Sequence, residues 1–145
     1  MLSQNKTKLP INYNLSYSVY IHSLSRPDSL AVACEGQELS YEQIARRASA
    51  IAACVRRSSA WFRKDGLPPR VGILASRSID ACLAVLGSSW AGATYVPIGL
   101  KLPEERVLTI LSLCNLSALI TDAKGAKLLT KRVLSACPPL VIVPD

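Results

Sequence analysis

The feature that most constrains this chain is a run of short apolar stretches that alternates with helix-length segments all the way from Val71 to Val143. Val71 to Ala75, Ala93 to Ile98, Ala118 to Thr121 and Leu140 to Val143 have strand length, and Ile79 to Trp90, Pro103 to Cys114 and Ala123 to Ala136 have helix length. Strands that are apolar along their whole length need cover on both faces, whereas a half-solvated antiparallel strand alternates apolar with polar. The alternation therefore predicts an α/β fold: a parallel sheet with helices on its faces, joined by right-handed crossovers.

The segments before Val71 are legible too. Tyr17 to Ser25 reads as a short helix stopped by Arg26 and Pro27, because the residue before a proline is pushed out of the helical region. Leu30 to Cys34 and Gln37 to Leu39 flank Glu35-Gly36, the spacing of a small β-hairpin. Ser40 and Gln43 stand in the S-x-x-Q arrangement that caps free amides at a helix start. Behind them Tyr41, Ile44, Ala45, Ala48, Ile51, Ala52 and Val55 recur at intervals of three and four, one apolar stripe with Arg46 and Arg57 on the opposite side. Ser58 to Arg70, with Gly66, Pro68 and Pro69, reads as a surface loop. Residues 1 to 15 read as a flexible lead-in without a signal core, and residues 16 to 145 as the folded part.

Composition narrows the function classes. With 145 residues, 50% hydrophobic and 19% charged, the chain has enough apolar surface for one core and too little net charge for disorder. The formal charge of +7 is concentrated between Arg46 and Arg77, where only Asp65 opposes the basic residues. Charge alone does not make a nucleic-acid site, however. Only Trp61 and Phe62 lie among those cations, and no helix-turn-helix or ribonucleoprotein motif is present, so a nucleic-acid role is disfavoured. The most apolar run, Ile79 to Leu100, contains Asp80, Ser88, Ser89, Gly92 and Pro97 and fits a helix and a buried strand better than a membrane span.

Five cysteines, Cys34, Cys54, Cys82, Cys114 and Cys137, are too widely spaced for a C-x-x-C pair, and their odd number without a secretory signal points to a reduced, cytoplasmic setting. Cys54, Cys82 and Cys114 fall within apolar helical patterns and are expected to pack in the core. The single histidine, His22, excludes a His-rich metal cluster and is expected on the surface of a loop or early helix.

Three stretches carry a resemblance. Leu39-Ser40-Tyr41-Glu42-Gln43-Ile44, Val71-Gly72-Ile73-Leu74-Ala75-Ser76-Arg77-Ser78, and Ala91-Gly92-Ala93-Thr94-Tyr95-Val96-Pro97-Ile98 with Pro103-Glu104-Glu105-Arg106 and Leu119-Ile120-Thr121-Asp122 occur in one order. Together they resemble the N-terminal part of the adenylate-forming, AMP-dependent synthetases and ligases, in particular the amino-acid adenylation domains of nonribosomal peptide synthetases. Gln43 stands where that family usually has Glu, and Gly99-Leu100 where it usually has Asp-Pro. Each residue also has an architectural reason. Gly92 lets a helix turn into a strand, Pro97 suits a strand end, and Pro103 suits a first helical turn with Glu104 and Glu105 at its positive end.

The resemblance implies ATP- and magnesium-dependent activation of a carboxylate as an acyl-adenylate, followed by transfer to a thiol such as a carrier protein's phosphopantetheine. Such chemistry rests on positioned charge around phosphate. The family's phosphate loop ending in lysine, its aromatic-Gly-x-Thr-Glu segment, its ribose-binding Asp and its C-terminal-domain Lys have no counterpart in this sequence, and Gly87-Ser88-Ser89-Trp90 lacks the further glycines and lysine of a phosphate cradle. The expectation is an incomplete N-terminal subdomain with no catalytic, cofactor-binding or metal-binding residues of its own, inactive alone. It would be partnered by the missing remainder of the adenylation domain, as a truncated product or split-enzyme half, and by a phosphopantetheinyl carrier protein. A non-catalytic interaction module that docks through an unfinished sheet edge or the basic helix is the alternative, with a basic nucleic-acid-binding module a distant third.

Overall fold

A computed structural model of the protein describes residues 14–58 and 66–143. The expected lead-in therefore lies outside the described residues up to residue 13, as do residues 59–65 of the expected loop.

Helix α1 (Tyr17–Ser25) stops before Arg26-Pro27, and strands β1 (Leu30–Cys34) and β2 (Gln37–Ser40) pair antiparallel around Glu35-Gly36. Helix α2 (Tyr41–Arg57) opens on a full capping box. The Gln43 amide donates to Ser40 Oγ at 3.3 Å, and the Ser40 amide donates to Gln43 Oε1 at 2.8 Å. Ile44, Ala48, Ala52 and Val55 form its buried stripe. His22 lies in the last turn of α1 rather than early in a helix, with its ring edge-on to Tyr41 at 5.1 Å, while Arg26 sits over the same ring at 5.3 Å. These contacts lock α1 against the start of α2.

The alternating region follows as β3 (Arg70–Leu74), α3 (Ile79–Ala91), β4 (Thr94–Ile98), α4 (Glu104–Cys114), β5 (Ala118–Thr121), α5 (Ala123–Ala126), α6 (Lys131–Ala136) and β6 (Val141–Ile142). The four strands form one parallel sheet in the order β4-β3-β5-β6. The α/β class with a parallel sheet is thus as anticipated. Helix α3 ends on Gly92 in the left-handed region at φ 83°, and Pro97 sits on the outer strand β4, where a missing amide donor is tolerated.

Alternate residues of the two inner strands feed two cores. Val71, Ile73, Ala118 and Ile120 meet Ala52 and Val55 of α2 and Ala84 and Ala91 of α3. Leu74 and Leu119 face the other way, onto Val107 and Leu111 of α4 and Val133 of α6. Leu74 and Leu119 are fully buried, each worth about 1.5–3 kcal/mol of transfer free energy. A one-residue slip of either strand would exchange the two cores, so register is strongly specified.

Three expectations are corrected. The helix expected from Ala123 to Ala136 is two short helices. Thr130 caps the second by accepting from the Val133 amide and donates its hydroxyl to Glu104 at the start of α4, so the break serves packing between α4 and α6. Pro103 is the cap of α4 rather than its first helical residue. Cys54 and Cys82 are exposed, because each lies off the buried stripe of its helix, whereas Cys114 is half-buried and packs against the second core as expected.

Candidate functional site

The chain leaves β3 toward α3 on one face and leaves β5 toward α5 and α6 on the other. Adjacent strands whose connections depart to opposite faces open a crevice at their carboxyl ends, the usual ligand position in an open α/β sheet. Ser76 and Ser78 follow β3 there, Asp122 follows β5, and all three line a depression of about 190 Å³ together with Cys34, Glu35, Asp80 and Lys124. Glu35 and Lys124, both in this lining, form an exposed ion pair at 3.4 Å.

Asp122 is the centre of this cluster and is only 3% exposed. Its Oδ2 accepts from the Ser76 amide at 2.8 Å, from Ser76 Oγ at 2.5 Å and from Ser78 Oγ at 3.0 Å. Its Oδ1 accepts from the Gly125 amide at 2.7 Å, which caps α5. Ser78 Oγ also accepts from the Ala81 amide at 3.2 Å, so one carboxylate ties the starts of α3 and α5 together. Gly125 has no room for a side chain, since a Cβ there would strike the Leu74 carbonyl and Thr121 Oγ1. Burial pushes the Asp122 carboxyl up, but the hydrogen bonds from Ser76, Gly125 and Ser78 outweigh it and hold it at about 2 instead of 3.8.

Chemically, this arrangement braces rather than reacts. Four donors occupy the roughly four acceptor sites that a carboxylate offers. A carboxylate held near 2 stays ionised at neutral pH and is a poor proton acceptor. The same saturation makes the crevice a poor fit for magnesium-bound nucleotide, because its donors close on Asp122 instead of facing outward to phosphate. Among the described residues no group of three or more His, Cys, Asp or Glu side chains could hold a metal ion.

Sequence reasoning placed Asp122, Ser76 and Ser78 within the separate stretches that carry the family resemblance. Two strands ending side by side, one in Ser-x-Ser and one in Asp, are the signal that brings them together, and it becomes readable once the strand order is known. The arginines of α2 do not converge on this crevice as a group; Arg47 pairs with Asp80 at 3.2 Å, and Arg46, Arg56 and Arg57 stay exposed. Among the described residues no helix is long and apolar enough to cross a membrane.

Comparison with known proteins places this geometry. The chain is 38% identical over 105 residues to tyrocidine synthase 3 of Brevibacillus parabrevis, a match covering 70% of this chain and 2% of that protein. Its fold superposes on the crystal structure of IdnL7 with a TM-score of 0.78 and 25% identity, covering 93% of this chain and 26% of that one. It also superposes on the nonribosomal peptide synthetase FmoA3, solved with α-methyl-L-serine-AMP bound, with a TM-score of 0.69 and 25% identity over 87% of this chain and 13% of that one. The chain thus spans a small part of the relatives it matches. The sequence model of the family described as AMP-binding enzyme matches residues 22–144. With that match across most of its length, this chain belongs to the AMP-binding enzymes, as an α/β segment of the adenylate-forming ligase fold akin to nonribosomal peptide synthetase domains.

Proposed function

We propose that this chain is the N-terminal portion of a cytoplasmic amino-acid-adenylating domain, and that its own part in the reaction is to scaffold rather than to handle ATP. The observation that carries the reading is the Asp122 crevice. The position where an open α/β sheet usually receives its ligand is closed by a carboxylate with four protein donors. A domain built this way draws its phosphate-binding groups, its magnesium and its access to a phosphopantetheinyl carrier protein from further polypeptide. The sequence supports this, since it contains no glycine-rich loop ending in lysine.

The test is exchange of labelled pyrophosphate into ATP by the purified chain, offered the proteinogenic amino acids with magnesium. No exchange above a protein-free blank is expected, and equilibrium dialysis is expected to find no saturable ATP binding. Exchange that depends on one amino acid, and that survives repurification, would overturn the scaffold reading.

A further inference from the structure

A second recess lies at the other end of α3. It is a groove of about 670 Å³ between α1 and α2, lined also by Trp90 and Asn14. That is within the usual range for small-molecule sites. Ser78 and Trp90 are 12 positions apart, or about 18 Å along a helix at 1.5 Å per residue. No residue is shared between the two recesses.

The groove has aromatic walls and two charges. Tyr17 and Tyr20 stand 6.3 Å apart, and Tyr20 meets Trp90 edge-on at 6.4 Å. On the α2 side Glu42 and Arg46 line the groove one helical turn apart. A glutamate four residues before an arginine ordinarily makes an ion pair along the helix face. Here neither side chain has a hydrogen-bond or ion-pair partner among the described residues. An incoming anion would gain Arg46 and be repelled by Glu42; a cation would meet the reverse. A ligand carrying both charges satisfies both side chains, and an aromatic body satisfies the walls.

From this complementarity we infer that the α1–α2 groove binds a small aromatic zwitterion of the α-amino-acid type, with the ligand carboxylate on Arg46 and the ammonium on Glu42. The site is separate from the Asp122 crevice and does not rest on the scaffold reading. The experiment uses the whole chain carrying Trp61→Phe, which leaves Trp90 as the only tryptophan. Its fluorescence is titrated with phenylalanine, phenethylamine and 3-phenylpropionate, with calorimetry in parallel. Phenylalanine is expected to bind saturably and about tenfold more tightly than either single-charge analogue. Glu42→Gln and Arg46→Gln are each expected to weaken phenylalanine about tenfold, and Glu42→Gln to leave 3-phenylpropionate no weaker. Both positions are exposed, so unfolding midpoints of the variants should stay at the parental value. Equal affinity for the three ligands, indifference to both substitutions, or no saturation by phenylalanine would overturn the inference.

Discussion

Asp122 concentrates most of what single residues decide in this molecule. Its folded value lies below its ordinary 3.8, so the ionised form is what folding favours. That contribution is complete above the ordinary value and is lost as pH falls toward about 2, a shift worth about 2 kcal/mol. Asp122→Asn should therefore cost about 2 kcal/mol at neutral pH, because an amide cannot accept from all four donors. Urea unfolding midpoints between pH 2 and pH 7 would show it: the parent loses stability below pH 4, and the variant lacks that acid-dependent component. A variant as acid-sensitive as the parent would show that some other carboxylate governs the transition. The aspartate itself was readable as a cap from its place ahead of Ala123. Its bonds to Ser76 and Ser78 were not, because 46 and 44 residues separate the partners and only strand pairing brings them together.

Elements follow the local code closely where capping and periodicity agree. The Ser40 box and the apolar stripe of α2 were both legible and both formed, whereas the α5–α6 break was not, because a bond from Thr130 to Glu104 outweighs helix continuity. The β1–β2 turn holds a misfit. Glu35 and Gly36 both have positive φ, 50° and 79°, the type I′ pattern that favours Asn-Gly. Glu35→Asn relieves that strain and gives up only an exposed pair with Lys124, worth little. The substitution is expected to stabilise by about 0.5 kcal/mol, read as a small rise in the thermal midpoint. A fall would mean that the Lys124 pair outweighs the backbone.

At the scale of the whole molecule, protection should radiate from the inner strands. β3 and β5 pair on both sides and divide the two cores between them, whereas α1 has no buried residue. Hydrogen exchange is expected to be slowest at Val71–Leu74 and Ala118–Thr121 and fastest in α1 and the β1–β2 hairpin, and equal protection throughout would contradict two cores shared by one sheet. What the sequence by itself determined is the alternation of elements and the resemblance to adenylate-forming ligases, since apolar period, caps and short motifs are properties of neighbours along the chain. Only the tertiary structure decided the strand order, and with it the crevice between β3 and β5, the saturation of Asp122 and the groove that Glu42 and Arg46 line together with Trp90. Each of those depends on residues that are distant in the chain and adjacent in space.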